Sequence, residues 1–144
     1  MVSLQAKKRL TNNFWLYEFL RSKDHPGLAG ELDPKLYHIG NLHMLCATIL
    51  EPTRKHLRCP VVITSGFRSP ELNEAVGGSD RSLHMHGKAA DITIANPDHL
   101  FKAYEFIRDE LPYAYSLVSY YRERNFIHVG LPHPGRCQNE EIVR

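Results

Sequence analysis

Positions suited to burial recur at steps of three and four along Ile39, Leu42, Cys46, Ile49, Thr53 and Leu57. That period predicts a helix from about Pro34 or Tyr37 to Leu57 with one buried stripe. Pro52 lies inside the pattern, has no N–H and crowds the carbonyl four residues back, so it should kink or divide the helix. Leu100, Tyr104, Ile107 and Leu111 repeat the period, and Asn96-Pro97 supplies a start, which predicts a helix ending near Leu111. Ser69-Pro70-Glu71-Leu72 reads as a short helix start. Thr11-Asn12-Asn13 before Phe14-Trp15-Leu16-Tyr17 predicts a first helix from about Asn13 to Arg21. β-Branched or alternating runs predict strands at Pro60–Ser65, Ala89–Ile94, Tyr115–Tyr121 and Asn125–Leu131, the last two joined by Arg122-Glu123-Arg124. His25 to Gly30 and Gly77 to Asp80 read as loops, and the Pro- and Gly-rich tail after Pro132 as irregular. Helices come first and the last strands form a hairpin, so the order predicts an α+β fold rather than a parallel α/β layout.

The 144 residues suit a single domain, 1–144. Lys and Arg number 18 against 16 Asp and Glu, a net charge of +2, and no basic stripe marks a nucleic-acid binder. No apolar run approaches the ~20 residues of a membrane span. Cys46, Cys59 and Cys137 are scattered, without a CxxC pair, and predict free thiols in a reducing compartment. Lys7-Lys8-Arg9 has no apolar stretch after it, so the expectation is synthesis in a cytoplasm without a secretory signal. The nine histidines are the composition's one pointer to metal chemistry.

Strand alternation sharpens that pointer. Ala90, Ile92 and Ile94 share one face of their strand, while Ala89, Asp91 and Thr93 share the other. Likewise Ile127, Val129 and Leu131 oppose Phe126, His128 and Gly130. If the strands share a sheet, Asp91 and His128 converge on its non-core face, and His84, seven residues before Asp91, can fold over it. Two imidazoles and one carboxylate are a common three-ligand set for catalytic zinc, with a fourth position left open. From spacing alone the case is modest, and the plainer reading is a solvated loop histidine and a strand aspartate that caps a turn.

The segment Ser82-Leu83-His84-Met85-His86-Gly87-Lys88-Ala89-Ala90-Asp91 resembles the Ser-x-His-x-x-Gly-x-Ala-x-Asp signature of M15 zinc peptidases. These are D-alanyl-D-alanine carboxypeptidases and related peptidoglycan endopeptidases. Phe126-Ile127-His128-Val129 is similar to the family's second histidine segment, and Ser65-Gly66-Phe67-Arg68-Ser69-Pro70-Glu71-Leu72-Asn73 to its Ser-Gly-Tyr-Arg-Ser-Pro-x-x-Asn segment, with Phe for Tyr. The resemblance covers roughly residues 12–131. It implies helices packed on one face of a small, mainly antiparallel sheet, as in hedgehog and DD-peptidase folds. It implies zinc held by His84, Asp91 and His128, with His86 left variable. It makes Arg68 a clamp on the substrate peptide, for which a planar guanidinium fork is suited. It gives Ser82 a place in the loop holding His84 and at the substrate, and Gly87 a tight turn beside the metal. The remaining histidines, His25, His38, His43, His56, His99 and His133, are expected at the surface.

One position departs from the pattern. Many M15 enzymes carry a carboxylate three residues before the second histidine, where this chain has Asn125, which cannot take a proton from water. The nearest carboxylate is Glu123, the candidate general base. The reading implied is a zinc-dependent hydrolase of peptidoglycan stem peptides, carboxypeptidase or endopeptidase, similar to compact phage or prophage members acting at the cell wall. The alternative is a weakly active or inactive zinc-stabilised binding or structural domain, and Asn125 is what keeps it open.

Overall fold

The computed structural model describes residues 7–120, 125–136 and 138–143. The chain opens with a tight hairpin, β1 (Arg9–Thr11) and β2 (Phe14–Trp15), followed by a 3₁₀ turn, Leu16–Phe19. No α-helix forms over 13–21. Asn12 and Asn13 make the turn of the hairpin instead, and its tip is tied to Glu51. Thr11 Oγ1 and the Asn13 backbone N–H donate to Glu51 Oε1 at 3.0 and 2.8 Å, and Asn13 Nδ2 donates to Oε2 at 2.8 Å. These long-range bonds use Thr11 and Asn13 as donors to a distant carboxylate, where a helix N-cap would have used their side-chain oxygens as acceptors. Likewise His25 to Gly30 is not all loop: Pro26, well suited to a first helical position, opens the single-turn α1 (Pro26–Gly30).

The predicted long helix is present and divided. α2 (Leu36–Leu45) runs into a π-helical turn, Cys46–Leu50, and then into α3 (Glu51–Leu57). The widened turn lies immediately before Pro52, and Glu51 N–H bonds to the Cys46 carbonyl, five residues back. Widening relieves the crowding between the proline ring and the preceding turn. The whole stripe Ile39, Leu42, Cys46, Ile49, Thr53 and Leu57 is buried. Thr53 hides its hydroxyl by donating to the Ile49 carbonyl at 2.7 Å. Cys46 is a buried free thiol, its pKa pushed up by burial, and Cys59 is half-buried and free.

β3 (Val61–Ser65), β4 (Ala89–Ile94), β5 (Ser116–Tyr120) and β6 (Phe126–Gly130) form an antiparallel sheet in the order β3-β4-β6-β5, and α5 (Leu100–Glu110) lies between β4 and β5 in sequence. The tail is not irregular throughout: β7 (Asn139–Val143) extends the sheet by pairing parallel with β5. Its pairing satisfies backbone groups that the β5 edge would otherwise expose. The sheet's inner face, Val61, Ile63, Ala90, Ile92, Ile94, Leu117, Ile127, Val129 and Leu131, joins the α2–α3 stripe and Leu100, Ala103, Tyr104 and Ile107 of α5 in the core. Each large apolar side chain buried there contributes about 1.5–3 kcal/mol. The α+β fold thus commits one face of the sheet to helices. The other face is left for the site, where the 3₁₀ turn Leu83–His86 meets β4 and α4 (Pro70–Ala75) packs on that turn.

Candidate active site

β4 and β6 are registered so that Asp91 and His128 are direct partners. Their neighbours Ala90, Ile92, Ile127 and Val129 are locked in the core, so alternation sends both polar side chains to the outer face. His128 Nδ1 sits 2.9 Å from Asp91 Oδ1. His84 arrives from the 3₁₀ turn Leu83–His86, whose N-cap, Ser82 Oγ, accepts the His84 backbone N–H at 3.2 Å. Gly87, at φ 71°, ends that turn, and a Cβ there would lie 2.6 Å from the His38 carbonyl oxygen. The turn is thereby seated on α2.

His84 is the most enclosed member, its side chain 3 % exposed. Its Nδ1 lies 2.8 Å from the Gly66 carbonyl oxygen, which can only accept, so Nδ1 carries the proton. The remaining nitrogen, Nε2, faces Asp91 Oδ1 at 3.3 Å. Burial pushes the His84 pKa down, assisted by Arg68 and His128 and opposed by Asp91, so the ring is held neutral. Burial alone would raise the Asp91 pKa, but a positive charge on the His84 and His128 side, which the imidazoles supply only when protonated, outweighs it and keeps the carboxylate below its usual range. A neutral Nε2 lone pair aimed at an ionised carboxylate is unfavourable without a cation between them. Ligand atoms of His84, Asp91 and His128 all lie within 4.8 Å of one another. Tetrahedral coordination with bonds of about 2.0–2.1 Å puts ligand atoms about 3.3 Å apart. The donor set fits a metal ion in chemistry and in spacing.

Arg68 adjoins the group, its side chain 12 % exposed. Its Nε donates to Ser65 Oγ at 3.1 Å, Nη1 to Asn73 Oδ1 at 3.2 Å and Nη2 to Asp91 Oδ2 at 3.4 Å. A register irregularity in β3 around Thr64 places Ser65 opposite Asp91, within reach of this guanidinium. Buried Asn73 extends the network by donating from Nδ2 to the Ser79 carbonyl at 2.9 Å. Gly78 is needed beside it, since a Cβ there would lie 2.1 Å from Asn73 Oδ1. The metal-type triad and Arg68 line a cavity of about 320 Å³, with Arg81, Ser116, Val118 and Arg136 among its other walls. A larger groove of about 720 Å³ adjoins it and shares Arg68, Asp91 and Phe126.

Comparison with known families agrees with this geometry: the sequence model for Peptidase M15 matches residues 23–130, which include every element carrying the triad and Arg68. The chain belongs to the Peptidase M15 family. As a member of Peptidase M15 it is a peptidase, and M15 peptidases are zinc-dependent. No curated protein matches the chain.

The structure brings together five residues singled out in the sequence: Arg68, Ser82, His84, Asp91 and His128 all line the small cavity. His86 turns away from it, its ring 4.6 Å from that of His133. Among the histidines expected at the surface, His38 is buried, its Nδ1 accepting the Lys35 backbone N–H at 2.9 Å. Glu123, the candidate base, lies outside the described residues. Asn125 is exposed with φ 47°, and its carbonyl accepts from Thr93 Oγ1 at 3.3 Å. Sequence reasoning missed Asn73, Arg81 and Arg136 as parts of the site. The motif segment contains Asn73, so its side-chain role had a signal. Arg136 had none, because it comes from the tail and meets the site only through folding. No helix among the described residues is long and apolar enough to cross a membrane.

Proposed function

We propose that this M15 peptidase is zinc-dependent and hydrolyses peptide bonds in the stem peptides of peptidoglycan. The observation that supports it most is the convergence of His84, Asp91 and His128 beside Arg68 in a cleft. Zinc would be held by those three side chains and would supply Lewis acidity toward a carbonyl and toward water. The chain's own residues do the rest. The Gly66 carbonyl holds His84 in the tautomer that leaves Nε2 free. Asp91 presents an ionised carboxylate to both imidazoles and to Arg68. Arg68 spends three of its N–H groups on Ser65, Asn73 and Asp91, which fixes the plane of the fork, and offers the others to a peptide carbonyl. Glu123 is the proposed proton acceptor, and the cell wall, reached by a phage- or prophage-type route, the proposed place of action.

A muropeptide digest with and without chelator tests this reading. Fragments released only by the metal-loaded protein are expected. No release from any peptidoglycan type, at any pH and with added zinc, would overturn it. Glu123→Gln should retain zinc and fold while lowering turnover by about 10²- to 10⁴-fold. Wild-type turnover in that variant would remove Glu123 from the mechanism.

The second reading is a zinc-stabilised binding or structural domain. Asn125 favours it, and so does the cavity wall, where Asp91 is the sole carboxylate among the described residues.

A further inference from the structure

Two of the three metal-type donors stand on the sheet, and the third does not. Asp91 and His128 are registered partners in β4 and β6, whereas His84 rides on a single 3₁₀ turn, Leu83–His86. So short a 3₁₀ turn has poorer hydrogen-bond geometry than an α-helix and depends on its neighbours for its place. One support is α2: Asn41 Nδ2 donates to the His86 carbonyl at 2.8 Å, and Gly87 abuts the His38 backbone. The tail after β6 supplies another. Leu131, buried, donates its N–H to the Lys88 carbonyl at 2.8 Å. The His133 ring lies 4.6 Å from that of His86, and its Nδ1 is 3.2 Å from Lys88 Nζ, an ammonium that can only donate. Arg136 Nη2 donates to the Arg81 carbonyl. The tail therefore grips the chain on both sides of His84 in sequence, at Arg81 before it and at His86 and Lys88 after it.

Local sequence stiffens that tail. In His133-Pro134-Gly135-Arg136 the Arg136 N–H donates to the His133 carbonyl at 3.2 Å, and Gly135 has φ 78°. Proline in the second place and glycine at positive φ in the third is the pattern of a type II β-turn. The turn sets His133 and Arg136 at its two ends, so a single braced unit reaches residues 81–88 at separate points. We propose that residues 131–136 form a strap that holds the turn carrying His84 in place against Asp91 and His128, with His133 and Arg136 as positioning residues. The inference rests on the reading of His84, Asp91 and His128 as metal donors. Both residues act through 81–88, not through a bond to the metal. They lie beyond the stretch matched by the family, 23–130, so the match itself assigns them nothing.

The test takes the full chain and reads two quantities: zinc affinity, by competition with a chelator, and hydrogen exchange of backbone amides, by NMR. Arg136→Ala removes the grip on Arg81, and His133→Ala removes the ring on His86 and the acceptor for Lys88. Each should weaken zinc binding about tenfold or more, the scale on which losing an outer partner of a metal ligand is felt. The Met85, Gly87 and Lys88 amides, which bond to Ser82, His84 and Leu83, should exchange faster, while Ile92 and Val129 in the middle of the sheet stay as slow as in the wild type. Arg136→Lys still offers a donor to the Arg81 carbonyl and should recover most of the loss. Gly135→Ala keeps both side chains, and a Cβ there meets nothing within 4 Å, so it strains only the backbone at positive φ. It should move both readouts in the same direction, and it keeps the strap testable if Arg136→Ala fails to fold. Wild-type affinity and exchange in the double variant of Arg136→Ala and His133→Ala, equal acceleration at Ile92 and Val129, or no recovery with lysine would each overturn the strap. A wild type that binds no zinc would sink the metal reading instead. Exchange in the metal-free turn would then still decide the strap, supporting it if faster in the variants and overturning it if unchanged.

Discussion

At the scale of single residues, the site is a set of groups each constrained by a second partner. His84 is pinned by the Gly66 carbonyl on one side and faces Asp91 on the other. Removing any of the three donors leaves a set that cannot hold a metal tightly, because each contributes a bond that the unfolded chain does not organise. His84→Ala, Asp91→Ala and His128→Ala should each purify with little zinc by elemental analysis. Near-stoichiometric metal in the two histidine variants would refute the assignment. Arg68 is constrained in the same manner, held by Ser65, Asn73 and Asp91. Lys keeps its charge but loses the fork. Arg68→Lys should therefore retain zinc and lose turnover by roughly tenfold or more, the loss of one charge-assisted hydrogen bond. Unchanged kinetics would make Arg68 a structural residue only.

At the scale of elements, close backbone approach decides how the pieces dock. A Cβ at Gly66 would lie 2.5 Å from Phe19 Cα, so the 3₁₀ turn Leu16–Phe19 rests directly on the end of β3. Phe67 N–H donates to the Phe19 carbonyl at 2.9 Å, and Arg68 N–H to the His84 carbonyl at 3.1 Å. The segment after β3 is therefore held from both sides while its Gly66 carbonyl orients His84. Gly66→Ala forces one of these contacts apart. An overpacked core position costs about 1–3 kcal/mol, and a loss of that size is expected in the urea midpoint, with weakened metal retention beside it. A variant as stable as wild type, with full metal, would show that the Phe19 contact is not needed. The first-helix expectation over 13–21 fails at this scale too. Its candidate capping residues are used instead as donors: Thr11 and Asn13 donate to Glu51, far along the chain, and the tight hairpin forms in place of the local helix.

At the scale of the whole molecule, the sheet divides the labour. Its inner face carries the core and its outer face carries Asp91 and His128, over which the Leu83–His86 turn brings His84, so that in β4 and β6 stability and chemistry occupy alternate residues. β7 completes the sheet on the β5 side, next to the strand that holds Val118 opposite His128. Ending the chain at Gln138 removes β7 without touching Arg136. In hydrogen exchange, the β5 amides that pair with β7 should then lose protection by at least about tenfold, while those that pair with β6 stay slow, because ladders open locally when one partner is absent. Uniform protection in the shortened chain would show that β7 contributes nothing to the edge.

The periodic part of this architecture is legible in the amino-acid sequence alone. The stripe from Ile39 to Leu57, its division at Pro52, the strands at 60–65 and 89–94, and the sides taken by Asp91 and His128 all follow from side-chain period and proline stereochemistry, which are local properties of the chain. The resemblance in 82–91 likewise pointed to the Peptidase M15 family, which the match over 23–130 bears out. Tertiary structure decided what depends on partners distant in sequence. The hairpin at 9–15 exists because Glu51 takes its polar groups, and β7 exists because β5 has a free edge. Asn73 joins Arg68 to Ser79 because Gly78 leaves room, and Arg136 reaches the site because its guanidinium finds the Arg81 carbonyl. These contacts leave no period in the sequence, since each is a single meeting of two segments whose separation along the chain is set by everything folded between them.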